Sequence, residues 1–182
     1  TALTRLEREL GERYPQPTPQ LRLDRAGKLF DNRQAARAKD EYEDMAPRFS
    51  GLPRDQARVR IGAADYQVRK TEAAISHLRN LQITNPEAEA ERLYWLVQCY
   101  RRLDRDDEML EAVDQLAAKA PNSPWRQKAL IQAANNFIVR NESVRFMPLF
   151  QACADFTPQT EDNASCHWKA LSSVCGVKRK SV

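Results

Sequence analysis

The sequence predicts an all-α protein built as a stack of helix pairs, and three observations support this fold class. Apolar residues recur at three- and four-residue steps, as in RLYWLVQCYRRL (92–103) and ALIQAANNFIV (129–139), which is the period of a helix with one buried face. Glycine is scarce, with five in 182 residues, and the alternation typical of strands is nearly absent. The third observation is an internal repeat of about 36 residues.

The repeat becomes visible when the helical segments are aligned in register. A column of mostly small residues is followed twelve positions later by a second column, and both recur at steps of 36, 35 and 37 residues. We expect the small column to let paired helices approach closely and the second column to lie on a buried helical face. The small column is Ala26, Gly62, Val97 and Ala134; the second is Ala38, Ala74, Met109 and Phe146.

Prolines interrupt the chain at the same period. Pro86, Pro121 and Pro158 stand twelve residues after the second column, and Ser50 takes this place in the first repeat. Because proline lacks the N–H that a continuing helix needs, each should end the second helix of a pair and set the turn into the next pair. A single pair cannot bury its apolar face, whereas stacked pairs can.

The two ends of the sequence each resemble half of a repeat. Residues 1–15 match the second helix of an earlier pair, because Ala2 precedes Ala38 by 36 residues, and residues 161–174 match the first helix of a later pair. We therefore predict one domain over residues 1–175, with about four pairs plus a half-pair at each end. A basic tail over residues 176–182 is predicted to be disordered.

A terminal half-repeat has no paired helix to cover its apolar face. The apolar faces around Leu6 and Leu10, and around Trp168 and Leu171, are expected to be only partly covered. Solenoids normally need polar caps for solubility. We therefore expect the chain to be a piece of a longer helical array, and end-to-end self-association is a predicted property.

Composition narrows the possible partners. Apolar residues make up 42% and charged residues 30% of a chain with net charge +4, which is typical of a folded, water-exposed protein. No run of 18 apolar residues exists, so no membrane span is predicted. Arginine outnumbers lysine 21 to 8, and we interpret these charges as an ion-paired helical surface. Nucleic acid is a disfavoured partner, because no fixed set of side chains recurs at each repeat as in an RNA-reading solenoid.

The sequence gives no sign of catalysis, metal binding or a cofactor. Phosphate-binding loops, dinucleotide-binding glycines and zinc-protease motifs are all missing, and the four cysteines and two histidines form no zinc spacing. Cys99 and Cys153 are interpreted as small core residues. The acidic segment LDRDDEML (103–110) lacks the spacing of a calcium loop and is interpreted as a turn that caps a helix.

Aromatic residues concentrate around the third pair and suggest where a partner would bind. Tyr94, Trp95, Tyr100 and Trp125 should mostly fill the space between stacked helices. One or two of them could instead line the concave face, where solenoids bind partners. The candidate groove residues are Tyr94, Trp95 and Arg101.

The columns resemble the tetratricopeptide repeat, which implies a right-handed superhelix of helix pairs. That repeat places an alanine twelve residues after a small residue, an aromatic four later and a proline eight further on. The match is partial, because Met109 and Phe146 stand where alanine belongs and Val97 replaces a glycine-like position. The units also exceed 34 residues, which implies a looser array.

Two segments also resemble the α-superhelical region of soluble lytic murein transglycosylases, over residues 14–171. The family's recurring motif P-x-S-x-W-x-x-x-A-L fits Pro121, Ser123, Trp125, Ala129 and Leu130, and its A-x-x-x-W-[RK] motif fits Ala164, Trp168 and Lys169. The family's chemistry belongs to a separate lysozyme-like domain with a Glu-Ser pair and a G-L-M-Q segment. This chain has no G-L-M-Q, and its one Glu-Ser pair, Glu142-Ser143, falls in a turn of the repeat and suits a helix start.

The resemblance implies a non-catalytic scaffold domain of the bacterial cell envelope or periplasm, without a cofactor. It would bind peptidoglycan through a larger parent enzyme, or a protein or peptide partner. The alternative is a stand-alone tetratricopeptide adaptor in the cytoplasm that binds a partner peptide in its concave groove.

Overall fold

A computed structural model describes residues 2–11, 17–156 and 161–166, and the described part contains α-helices and no strand. The all-α prediction is therefore confirmed. Nine helices are bounded, in chain order: α1 (Ala2–Leu10), α2 (Pro19–Asp31), α3 (Ala35–Met45), α4 (Gly51–Gln67), α5 (Thr71–Asn80), α6 (Pro86–Arg102), α7 (Asp106–Lys119), α8 (Pro124–Val139) and α9 (Ser143–Ala154). Residues 46–48 form a 3₁₀ turn, and residues 161–166 are helical.

The helices from α2 onwards form four consecutive hairpins. We call α2, α4, α6 and α8 the A helices, and α3, α5, α7 and α9 the B helices. Each A helix packs against the B helix that follows it, and the A helices contact one another in sequence. The first three B helices also contact the A helix of the next hairpin. Contacts between neighbouring hairpins therefore bury the apolar faces that one hairpin would leave open.

The turn within each hairpin has the same backbone conformation. One residue per turn adopts a left-handed φ between 55° and 64°, and the backbone N–H of the next residue bonds to the carbonyl five positions earlier, at 2.9–3.0 Å. This is the Schellman arrangement that ends a helix. The left-handed residues recur at the same steps of 36, 35 and 37, and they are Arg33, Arg69, Asp104 and Asn141.

Both columns of the repeat lie inside the protein. Every residue of the small column and of the second column is buried, with Phe146 the most exposed at 6%. The core is continuous from α4 to α9, and a smaller cluster joins α2, α3 and α4. Helix α4 contributes Val59 to the first cluster and Ala57 and Ile61 to the second, so it lies between the two.

The role predicted for Pro86 is wrong. Pro86 is the first residue of α6, and the Asn85 side chain before it accepts hydrogen bonds from the N–H groups of Glu87 and Ala88, at 3.0 and 3.4 Å. Proline suits this place because the first N–H of a helix has no partner to lose. Pro121 lies two residues beyond the end of α7. Pro158 is outside the described residues, as are Trp168, Leu171 and the tail 176–182.

Two leucines of α1 are exposed. Leu6 and Leu10 leave 44% and 43% of their surface accessible. Within the described parts of the chain, no helix is both long and apolar enough to cross a bilayer.

Gly62 on α4 leaves room for the Leu78 side chain of the paired helix α5, and this contact generates the first prediction. A Cβ built there would lie 2.7 Å from Cγ of the buried Leu78 on α5. We expect Gly62→Ala to lower the free energy of unfolding by about 1 kcal/mol or more, because overpacking outweighs the gain in helix propensity. Gly27 on α2 has open space around it, so Gly27→Ala should raise that free energy by about 0.5–1 kcal/mol. Chemical denaturation measures the free energy of unfolding of both variants. Equal changes for Gly62→Ala and Gly27→Ala would contradict the close contact between Gly62 and Leu78.

Asp55 on α4 generates a second prediction, about acid stability. Its buried carboxylate accepts hydrogen bonds from the N–H groups of Thr84 and Asn85, both at 3.3 Å, and from Arg54 Nε at 3.1 Å. Burial alone would raise the pKa of Asp55, but the bonds from Arg54, Asn85 and Thr84 together lower it below the usual range. The carboxylate therefore stabilises the fold above the unfolded pKa of about 3.9, and this stabilisation is lost as the pH falls through the folded pKa.

Replacing Asp55 should change both the stability and its pH dependence. We expect Asp55→Asn to cost about 1–3 kcal/mol at neutral pH, since the loop N–H groups lose a charged acceptor. It should also flatten the fall in stability below about pH 4. Asp114→Asn is the matched control, because it makes the same chemical change at an exposed position. Urea unfolding followed between pH 2 and pH 7 measures both effects. If the free energy of unfolding of parent and Asp55→Asn varied with pH in parallel, the proposed role of the Asp55 carboxylate in acid stability would be refuted.

Candidate functional site

Five half-buried aromatic residues from four A helices form one connected group. The Trp95 ring lies 5.7 Å from the rings of Phe30 and Tyr66 and 5.3 Å from Tyr94, and Tyr94 lies 5.1 Å from Trp125. These centroid distances and tilted or edge-on angles are those of favourable aromatic pairs. We call these five residues the aromatic cluster.

Two residues of the aromatic cluster, Phe30 and Tyr66, occupy the same position of the repeat. Four residues after the small column comes another column, at the last helical turn of each A helix, and its members are Phe30, Tyr66, Arg101 and Ile138. The first two members contact Trp95, and the third is the predicted groove residue Arg101. The cluster therefore extends along the A helices from the first hairpin to the fourth.

Cationic side chains cover two of the rings. The Arg102 guanidinium lies 3.3 Å from the centroid of the Tyr66 ring, and it also donates a hydrogen bond to the Tyr66 carbonyl. The Lys128 ammonium lies 4.6 Å from the centroid of Trp125. Such cation–π contacts stabilise by about 0.5–1 kcal/mol at exposed sites. They place positive charge at two points of the cluster.

Two N–H donors beside the cluster are buried without a hydrogen-bond acceptor. Within the described residues, neither Trp95 Nε1 nor Arg101 Nε has a partner, and the Arg101 side chain forms no ion pair. Arg126 Nε is also buried without an acceptor, whereas Arg60 donates to the buried Glu91 at 2.9 Å. An unsatisfied buried donor costs about 1–3 kcal/mol. A bound acceptor that reached either N–H would recover part of that free energy.

Tyr94 contributes a neutral hydroxyl. Burial raises its pKa above the usual value, although the hydrogen bond with Gln98 and the charge of Arg101 act in the opposite direction. Tyr94 therefore keeps its proton at physiological pH and can both donate and accept. Together with Arg101 and Trp95, it suits a ligand that presents oxygen acceptors, above all a carboxylate.

Of the three predicted groove residues, Tyr94 and Trp95 contact each other, and the Arg101 charge acts on Tyr94. Sequence reasoning missed Phe30, Tyr66 and Lys128. The column that contains Phe30 and Tyr66 was visible in the sequence, because the two residues are 36 apart. Nothing in the sequence signals that Trp95 lies between them, since this depends on how the A helices stack.

The Glu142-Ser143 pair lies where the turn between α8 and α9 ends: Glu142 is the last residue of the turn and Ser143 is the first residue of α9. Glu142 precedes the first residue of α9, and its carboxylate is 3.3 Å from Arg145 and 4.0 Å from Arg140. Both arginines also contact Asp106 of α7, at 3.0 and 2.6 Å. This group of charges connects the third hairpin to the fourth.

Cys153 lies in the core, as predicted, but it also forms a covalent bond that the sequence analysis did not predict. Cys153 on α9 forms a disulfide with Cys166, and both are buried. Cys99 is a free buried thiol, and burial raises its pKa to about 12, so it is a poor nucleophile at neutral pH. Among the described residues, no group of three or more His, Cys, Asp or Glu side chains could hold a metal ion.

Asn163 reinforces the attachment of segment 161–166 to α9. Its side-chain amide donates to the carbonyls of Cys153, Ala154 and Phe156 at 2.9–3.2 Å, and its Oδ1 accepts from Gln127 at 2.9 Å. The amide thus caps the end of α9, where carbonyls would otherwise be unpaired.

Comparison with known proteins adds no relative: no family model matches the chain, and no curated protein sequence matches it.

The disulfide generates a third prediction. The bond closes a loop of 13 residues, so its loss should cost the C-terminal part about 3 kcal/mol by the chain-entropy model. We expect the reduced protein, and a Cys153→Ser/Cys166→Ser variant, to exchange amide hydrogens faster in residues 161–166. Hydrogen exchange read by mass spectrometry measures this, with α6 as the internal reference. Identical exchange in oxidised and reduced protein would contradict the prediction.

Proposed function

We propose that this chain is a non-catalytic helical-repeat module that binds a carboxylate-bearing partner along its A helices. The single observation that carries the proposal is the pair of buried, unpaired donors, Trp95 Nε1 and Arg101 Nε, beside the aromatic cluster. Aromatic faces with unsatisfied donors are the usual elements of a specific binding site. We further propose that the stack is a right-handed, tetratricopeptide-like superhelix, and the four identical hairpin turns support this.

The partner we propose is peptidoglycan or a protein of the cell envelope, met as part of a larger protein similar to a lytic transglycosylase. Peptidoglycan suits the site because its peptide stems carry carboxylates and its sugars can stack on aromatic rings. The Cys153–Cys166 disulfide supports a periplasmic location, since disulfides persist in oxidising compartments.

The proposal gives Glu142 a structural role. A glycosidic acid requires a raised pKa, usually obtained by burial in an apolar pocket. Glu142 lies instead at a helix start, one third exposed and next to two arginines. We therefore expect no release of soluble fragments when the protein is incubated with purified cell-wall sacculi. Release that disappears in Glu142→Gln would overturn the non-catalytic assignment.

Binding is predicted to depend on Arg101 and Trp95. We expect purified soluble muropeptides to bind the parent protein, and Arg101→Gln to weaken the Kd roughly tenfold, the value of one charged hydrogen bond. Trp95→Phe keeps the ring but removes the N–H, and should weaken binding by a smaller factor. Isothermal titration calorimetry provides the measurement. The exposed Arg69 forms no side-chain hydrogen bond or ion pair within the described residues, so Arg69→Gln is the charge-matched control.

The same titration separates the two candidate partners. Binding of an acidic peptide but not of muropeptides, with the same dependence on Arg101, would favour the cytoplasmic adaptor. Equal affinities for parent, Arg101→Gln and Arg69→Gln would show that the A-helix site does not bind these ligands.

A further inference from the structure

Three leucines at the N-terminal end of the stack are left largely open to water. Leu6 and Leu10 on α1 leave 44% and 43% of their surface accessible, and Leu21 on α2 leaves 60%. Leu6 and Leu10 are four residues apart, so they share one face of α1. Helix α1 forms no extensive contact with another described helix.

The repeat register shows what happens to these positions in the rest of the stack. The counterparts of Leu21 on the later A helices are all buried, and they are Ala57, Arg92 and Ala129. The counterparts of Leu6 on the B helices are buried as well, and they are Tyr42, Leu78, Val113 and Phe150. Leu6 and Leu21 are therefore the exposed members of two columns that are otherwise inside the protein.

The two columns meet where neighbouring hairpins pack. Arg92 Nη1 of α6 donates a hydrogen bond to the carbonyl oxygen of Leu78 on α5, at 2.9 Å. Tyr42 of α3 belongs to the same small buried cluster as Ala57 of α4. Helices α3, α5 and α7 each contact the A helix that follows them. One repeat earlier, the same relation joins α1 to α2.

Helix α1 also needs a partner, and its connection to α2 is long enough to provide one. The helix has nine residues, and isolated helices shorter than about 12–15 residues are marginal in water because nucleation is costly. Eight residues connect α1 to α2, whereas four or five connect each later B helix to the next A helix. A connection of this length can therefore place α1 against α2 as the later connections place their own helices.

We propose that α1 packs onto the exposed face of α2 as an intramolecular strap, in the register of a B helix, with Leu6 and Leu10 against Leu21. The strap covers α2 as the preceding hairpin covers each later A helix, and it caps this end of the stack. Its release exposes the leucines to a second copy of the chain. Docking within one chain is favoured, because a short connection gives α1 an effective concentration of about millimolar near α2.

Hydrogen exchange at short labelling times tests the strap. Leu21→Asp places a charge on the α2 face, and we expect amide exchange in α1 to accelerate at least about fivefold, although α1 itself is unchanged. Val144→Asp makes a matched change at an exposed apolar residue of α9 and should leave α1 at its parental rate. Unchanged exchange of α1 in Leu21→Asp would overturn the proposal.

Cross-linking tests the register without relying on a destabilising charge. In a background that keeps no cysteine outside the Cys153–Cys166 disulfide, oxidation should close an intramolecular bond in Leu6→Cys/Leu21→Cys. We expect this bond to form at least about tenfold faster than in Arg8→Cys/Leu21→Cys, because residues two apart on a helix do not share a face. Equal rates for the two pairs would show that α1 does not dock in this register.

The same measurements separate the strap from association between copies. Bonds that form only between two chains, with protection of α1 that rises with protein concentration, would assign the α2 face to a second copy and overturn the intramolecular strap. Neither measurement involves Arg101 or the aromatic cluster, so the outcome is independent of ligand binding there.

Discussion

The left-handed residue at each hairpin turn is the constraint on which the rest of the stack depends. It ends the A helix and reverses the chain within three residues, so that each A helix packs against the B helix that follows it. Non-glycine residues in this conformation cost about 1–2 kcal/mol each. In the second hairpin, the contact between Gly62 and Leu78 is one of the packing interactions that hold the two helices in this geometry.

Buried polar side chains fix how the hairpins and helical segments pack together. Asp55, Glu91, Gln127 and Asn163 stand 36 residues apart, and each is buried with a hydrogen-bond partner on a neighbouring element. Asp55 binds the loop before α6, Glu91 binds Arg60 of α4, and Gln127 of α8 binds Asn163 in segment 161–166. A buried polar group that is left unpaired is costly. These bonds therefore favour one relative position of neighbouring hairpins over positions in which the hairpins are shifted along each other.

The aromatic cluster lies along the A helices beside the Arg101 guanidinium, which forms no ion pair within the described residues. Several other arginines, such as Arg60, Arg92 and Arg140, have carboxylate partners. The uncompensated positive charge of Arg101 beside aromatic rings is what suits the A-helix surface to an anionic partner.

The sequence by itself determined the helical class, the hairpin period and the residues of the two buried columns, because these follow from local periodicity and residue size. It did not determine that Pro86 begins a helix, since proline is compatible with either side of a turn and the Asn85 cap decides between them. Tertiary structure alone paired Cys153 with Cys166 and placed Trp95 between Phe30 and Tyr66. Each of these depends on the distance between side chains of different helices, which a 36-residue repeat does not encode.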